Sequence, residues 1–194
     1  MNTKPMRLPG RWREGYVLDY HTSSSVYVGD DEYGHPRFDT TRTEIGELLY
    51  QLKYHSNVAV VGNIVDVVDY FVKGWKPPIE MVVPVVPSRH RALQPLLVIS
   101  EAIAQRLNLP FQPNAVRRLR ELPELKDVHD YNERIRLLED AHEANSEIVR
   151  GRSVLVVDDL YRSGATLNAV TSALYDRGDV RDVYALAITR TRRG

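Results

Sequence analysis

The stretch Val154-Leu-Val-Val-Asp-Asp-Leu-Tyr-Arg-Ser-Gly-Ala-Thr166 decides the fold. Ser153 to Val157 is an almost unbroken apolar run, the pattern of a strand buried on both faces. Beyond the turn-forming Ser163 and Gly164, Ala169, Val170, Ala173 and Leu174 recur at the spacing of one helix face, which predicts a helix from Ala165 to Asp176 closed by Gly178. Val183 to Ile188 then returns as a strand. Upstream, Met81-Val-Val-Pro-Val-Val86 is a second short buried strand, and Leu96, Ile99, Ala102 and Ile103 predict a helix over about 93–107. Strand and helix alternate at βαβ spacing, so the expected class is α/β, a parallel sheet flanked by helices.

The chemistry at that stretch follows from its residue types. Backbone N–H groups of a helix's first turn are unpaired and sit at the positive end of its dipole, so Ser163–Thr166 is suited to a phosphate monoester. Gly164 permits close backbone approach, and Ser163 and Thr166 add hydroxyl donors. Asp158 and Asp159 would repel a phosphate unless they face something else. A ribose diol or a magnesium ion bridging to a pyrophosphate meets that need. Competing readings lose their footing: no Gly-x-x-x-x-Gly-Lys-Ser/Thr loop and no Gly-x-Gly-x-x-Gly is present. A response-regulator receiver, which also opens on Val-Asp-Asp, needs more chain after Asp159 than is expected here.

Composition narrows the classes further. Lys plus Arg number 26 and Asp plus Glu 26, so no overall charge points to nucleic acid or acidic membranes. Arg117, Arg118 and Arg120, and Arg190, Arg192 and Arg193, are local exceptions. Cysteine is absent, which removes disulfides, thiol catalysis and cysteine-bearing zinc sites. The six histidines are scattered without zinc-ligand spacing. No apolar run approaches the roughly 20 residues of a membrane helix, and the first residues lack a signal-peptide pattern, so a cytoplasmic protein with no membrane association is expected.

Residues 1–13 read as a tail and 14–76 as an N-terminal hood with helices, ahead of a core over 77–194, the whole forming one compact unit. Tyr16-Val-Leu-Asp-Tyr20 and Val26-Tyr-Val28, set among turn residues, suggest a small antiparallel meander from Gly15 to about Phe38. Ile45, Leu48, Leu49 and Leu52 mark a helix capped by Thr43. A second helix, about 58–71 with Val61, Ile64, Val65 and Val68 inward, should end at Gly74. Asn114 to Val116 is a candidate short strand, and 117–134 reads as a long mobile loop.

The Val154–Thr166 stretch resembles the signature of type I phosphoribosyltransferases: four apolar residues, two acids, two variable positions, then Thr-Gly-Ala/Gly-Thr, with Ser163 where threonine is commoner. Within that group the chain is most similar to the competence protein F family, which is related to amidophosphoribosyltransferases. The likeness rests on Phe38-Asp-Thr-Thr-Arg-Thr-Glu-Ile-Gly46, on Leu48-Leu-Tyr-Gln-Leu-Lys-Tyr54 and, more loosely, on Tyr131 to Arg134. Members of that family often begin with a four-cysteine zinc element, which this chain lacks.

The resemblance implies binding of phosphoribosyl pyrophosphate (PRPP) and transfer of its phosphoribosyl group to a nitrogenous small-molecule acceptor, with pyrophosphate released and magnesium as cofactor. Asp158 and Asp159 would bind the ribose hydroxyls as the catalytic pair, and Arg162, Ser163, Gly164, Ala165 and Thr166 the 5-phosphate. Ser88 and Arg89 would contact pyrophosphate, with His90 and Arg91 beside them. Arg117, Arg118, Arg120 and Lys126 are the cations available to a closing lid. No set of direct protein ligands to magnesium is expected: the ion would arrive with the substrate, touching at most Asp158 and Asp159. Tyr16, Tyr20, Tyr27, Tyr50 and Tyr54 either stack on a planar acceptor or fill the core. A homodimer is compatible with the fold. The alternative reading is a non-catalytic PRPP- or nucleotide-sensing module, or an accessory to DNA uptake or repair, and only in that reading would the basic clusters contact nucleic acid.

Overall fold

A computed structural model describes residues 1–87, 93–119 and 141–192 of the 194-residue chain. Two strands, β1 (Met6–Arg7) and β2 (Glu14–Tyr20), open the fold. An antiparallel hairpin follows, β3 (Thr22–Asp30) and β4 (Pro36–Arg42), then α1 (Glu44–His55) and α2 (Val61–Trp75). Strand β5 (Met81–Pro84) leads through residues 85–94 to α3 (Pro95–Leu107). After β6 (Val116–Arg118), β7 (His142–Ala144) and α4 (Ser146–Val149), the chain closes with β8 (Ser153–Tyr161), α5 (Ala165–Asp176) and β9 (Asp182–Arg190).

The central sheet runs β1-β2-β9-β8-β5. All its pairings are parallel except β1 with β2. The apolar run that marked β8 has its reason here: Val154, Leu155, Val156 and Val157 are all fully buried between β5 and β9. Helices α1, α2 and α3 form one contiguous layer against the sheet, and α5 packs with the β6–β7 ribbon in another. The α/β class and the parallel sheet flanked by helices are as the sequence implies.

Several boundaries differ, each for a physical reason. Residues 14–20 do not join a meander. They pair in parallel with β9 from Glu14↔Tyr184 to Tyr20↔Arg190, because Val17 and Leu18 bury completely in the central sheet, and only β3 and β4 form a separate hairpin. Helix α2 continues through Gly74 to Trp75, since Trp75 packs its ring against Tyr16 and Tyr184; the left-handed cap is Lys76, at φ 56°. The candidate strand at 114–116 lies at Val116–Arg118, paired with β7, so Arg117 and Arg118 stand on a strand and not in a loop. Strand β8 runs four residues past Val157, carrying both aspartates into the ladder with β9. Residues 120–140, which include Arg120, Lys126 and Tyr131 to Arg134, lie outside the described residues, as do Ser88, Arg89, His90, Arg91 and Arg193.

Candidate functional site

Ligands of open parallel sheets gather at the carboxyl ends of the strands, and here β8 presents Asp158 and Asp159. Successive side chains of a strand point to opposite faces, so the two carboxylates diverge. Asp159 meets Lys53 of α1, whose Nζ lies 2.8 Å from Oδ2, in a pair less than one-fifth exposed on either side. Asp158 accepts a long bond from the Leu160 amide, 3.4 Å. Burial and the like charge of Asp159 push the Asp158 carboxyl up to about 7, against the opposing pull of Lys53. The acidic pair therefore holds a proton at a pH where ordinary carboxylates hold none.

Beyond the strand, the chain turns into α5. Gly164 occupies the cap position with φ 79°, a left-handed conformation that side chains resist. A Cβ there would also meet the Tyr161 hydroxyl at 2.6 Å, so glycine is required twice over. The Ser163 hydroxyl accepts from the Ala165 amide at 3.5 Å, engaging one of the amides of the helix's first turn. Asn168 donates its side-chain amide to the Gly164 carbonyl at 3.0 Å and accepts from the Arg11 amide, which ties the turn to the N-terminal tail. Arg162 is exposed beside the turn. The structure thus brings Asp158, Asp159 and Arg162 to Thr166 together at one end of the sheet.

Residues that sequence reasoning did not place in the site complete this end. His21, directly after β2, places Nδ1 3.2 Å from the Thr189 hydroxyl, which donates to the Asp159 carbonyl at 3.1 Å. Burial, followed by Lys53 and Arg42, lowers the His21 ring's affinity for a proton, while Asp159 opposes them. The N-cap Thr43 accepts from the Gly46 amide and donates to the Tyr20 carbonyl at 2.6 Å, fixing α1 against the end of β2. Gly46 lies so close to the His21 carbonyl that a Cβ would collide with it. These contacts aim Lys53 at Asp159. Lys53 had a faint signal in sequence, a cation three residues from Tyr50 on one helix face, but nothing in sequence named its partner.

On the other side, the Val85 amide donates to Val157 at 2.9 Å, so the chain leading toward residue 88 departs beside the acidic pair. Arg118 is partly buried and donates to the Pro87 carbonyl at 3.1 Å and, at 3.5 Å, to that of Val86; burial weakens its hold on its proton. Arg117 is exposed and pairs with Glu143, with 2.5 Å from Nη2 to Oε2. The tyrosines divide: Tyr16 packs on Phe71 and Trp75, and Tyr27 on Phe38 of the hairpin. Tyr50 lies beneath Arg42, with Tyr54 beside it, and Tyr20 lies beneath Arg190 and Arg192. Among the described residues no group of three or more acidic or histidine side chains is placed to hold a metal, and no helix is long and apolar enough to cross a membrane.

At the level of sequence, no protein-family model and no curated protein matches this chain. Solved structures do. Glutamine PRPP amidotransferase from B. subtilis, complexed with ADP and GMP, is similar over 81% of this chain and 34% of its own, with 13% identity and a TM-score of 0.50. Adenine phosphoribosyltransferase from Saccharomyces cerevisiae, complexed with an imino-altritol bisphosphate and adenine, matches 84% of this chain and 83% of its own at 13% identity and a TM-score of 0.49. The adenine phosphoribosyltransferase of Trypanosoma brucei, in complex with AMP, pyrophosphate and ribose-5-phosphate, matches 96% and 74% at 12% identity and a TM-score of 0.47. At these identities the likeness is one of fold, and the fold is that of the type I phosphoribosyltransferases.

Proposed function

We propose that this chain binds PRPP and transfers its phosphoribosyl group to a nitrogenous acceptor, releasing pyrophosphate. One observation carries the reading: a half-buried acidic pair near the end of β8 leads into a glycine-capped turn at the N-terminus of α5, within this fold. Asp158 and Asp159 accept hydrogen bonds from the ribose diol, and the Arg162–Thr166 turn holds the 5-phosphate. Ser88 and Arg89, which lie outside the described residues, follow the strand that leaves beside Asp158 and are assigned to pyrophosphate. Arg120 and Lys126, also outside them, remain candidates for closure. Arg117 and Arg118, candidates for closure as well, stand on β6, where Arg118 donates to the carbonyls of residues 86 and 87 and Arg117 pairs with Glu143.

Loss of pyrophosphate from ribose C1 leaves oxocarbenium character on the ring, as in glycoside chemistry. The protein's part is to orient the ribose, hold its phosphate and keep negative charge near the developing cation. The carboxylate oxygens of Asp158 and Asp159 are hard donors that suit magnesium. With no third acidic side chain beside them among the described residues, they would hold the ion only together with substrate oxygens. Such an ion would neutralise the departing pyrophosphate.

The test is pyrophosphate release from PRPP and magnesium over a panel of purines, pyrimidines and aromatic amines. Release that requires one acceptor supports the transferase. Saturable PRPP binding with no release from any acceptor would instead favour a binding module, and no PRPP binding would remove both.

A further inference from the structure

The β3–β4 hairpin stands apart from the central sheet. It springs from the chain between His21 and Thr43, and among the described residues each of its strands pairs only with the other. Its shape is set from within. The Asp31 carboxylate accepts from the Tyr33 and His35 amides at 2.8 and 2.9 Å, the Tyr27 hydroxyl donates to Asp30 at 2.8 Å, and the Ser25 and Thr40 hydroxyls bond across the strands at 3.1 Å. Yet Val26, Tyr27, Val28 and Phe38 are each more than half exposed. A two-stranded ribbon is marginal by itself in water, and an open strand edge is a template for a further strand. Because the ribbon is already ordered, a partner strand would add to it at little cost in lost freedom.

The sequence of β4, Pro36-Arg-Phe-Asp-Thr-Thr-Arg42, says what that partner is. Tyr27 lies directly opposite Phe38, so their rings share one face, 5.8 Å apart, while Arg37 and Asp39 project from the other. Both charges are exposed, and neither has a charged partner among the described residues. With two copies of β4 antiparallel about a two-fold axis at Phe38, Arg37 faces the partner subunit's Asp39 and Asp39 faces the partner subunit's Arg37. The Phe38 rings then meet on the opposite face, flanked by the Tyr27 rings, as cross-strand pairs. An in-register parallel pairing would set like charge against like. We propose that β4 is a dimer edge, at which a second copy of this chain adds its own β4 to make a continuous sheet in the order β3-β4-β4-β3. Two seven-residue strands and their rings make a small interface, at or below about 1,200 Å² in total, the class of weak and reversible pairs. The proposal goes beyond the PRPP reading and does not depend on it.

Sedimentation velocity of the full chain, from low to high micromolar concentration, tests it. The wild type should pass reversibly from monomer to dimer and no further. Arg37→Asp leaves two negative charges on each strand and Asp39→Arg two positive ones, so each variant should dimerise about tenfold or more weakly. An equimolar mixture of the two should associate as the wild type does, since every facing pair is again opposite in sign. The double reversal Arg37→Asp/Asp39→Arg in one chain should recover dimerisation for the same reason. Both residues are exposed, so the variants should melt with the wild type, and a melting curve of each confirms that the fold is intact. A wild type monomeric throughout would leave the hairpin to a different protein and overturn the proposal. Assemblies larger than a dimer, undiminished dimerisation of both single variants, or no recovery in the mixture and the double reversal would overturn it as well.

Discussion

Asp158 is the residue on which stability and chemistry pull in opposite directions. Its carboxyl titrates near 7 in the fold and at 3.8 in the unfolded chain, so the folded state holds the proton more tightly. The associated stability is fully present below about pH 4 and is lost as pH rises through about 7. Asp158→Asn removes that loss. The variant should melt a few degrees higher than the wild type at about pH 8 and at nearly the same temperature at about pH 4, given that roughly 1 kcal/mol moves Tm by about 2–4 °C at this size. Melting curves at the two pH values check this; equal Tm differences at both would show that burial of the charge is not the cause. A protein that keeps a destabilising carboxylate near the end of its central strand has a use for it, and in the proposed function the ribose diol supplies one. The two adjacent acids were legible in the sequence because nothing structural asks for them. The partner of Asp159 was not, since Lys53 lies far away along the chain and only α1 brings it to the strand.

At the scale of elements, legibility followed burial. Strand β8 and helix α5 could be read directly because Val154 to Val157 and Val170, Ala173 and Leu174 all bury. Residues 14–20 misled because a short apolar run set among turn residues suits a small meander as well as a strand of a large sheet, and pairing with β9 is a tertiary fact. Arg117 and Arg118 misled for a related reason: a basic dipeptide reads as part of a charged loop until its partner strand is known. That strand, β7, contains His142, buried to 2% exposure with neither ring nitrogen hydrogen-bonded. Burial, with Arg118 and Arg177 nearby, lowers its pKa from 6.5 to about 4. The sign is opposite to that of Asp158: stability is full above about pH 6.5 and drains away as pH falls toward about 4. His142→Leu keeps the backbone carbonyl that accepts from Arg177 and removes the titrating ring. Its acid unfolding midpoint should lie at lower pH than that of the wild type, followed by circular dichroism; an unchanged midpoint would exonerate the ring.

At the scale of the whole molecule, the sheet order β1-β2-β9-β8-β5 gathers groups from five segments at one end: His21, Lys53, the chain leaving β5, the acidic pair with its turn, and Thr189. No single stretch of sequence contains this set. The Val154–Thr166 run can be read by itself, whereas Lys53, which meets Asp159 from α1, makes sense only after folding. A ligand that binds the folded state alone also stabilises it, by about 2.7 kcal/mol at a hundredfold excess over Kd, so the site and the fold are thermodynamically linked. In the proposed function PRPP binds through Asp158, Asp159 and the turn after them. Isothermal titration of PRPP with magnesium into the wild-type chain and into Asp158→Asn/Asp159→Asn tests it most directly. Saturable binding to the wild type that weakens by about tenfold or more in the double variant is the predicted result, since hydrogen bonds to charged groups are each worth roughly 1.5–3 kcal/mol. No binding to the wild type, or undiminished binding to the double variant, would contradict it.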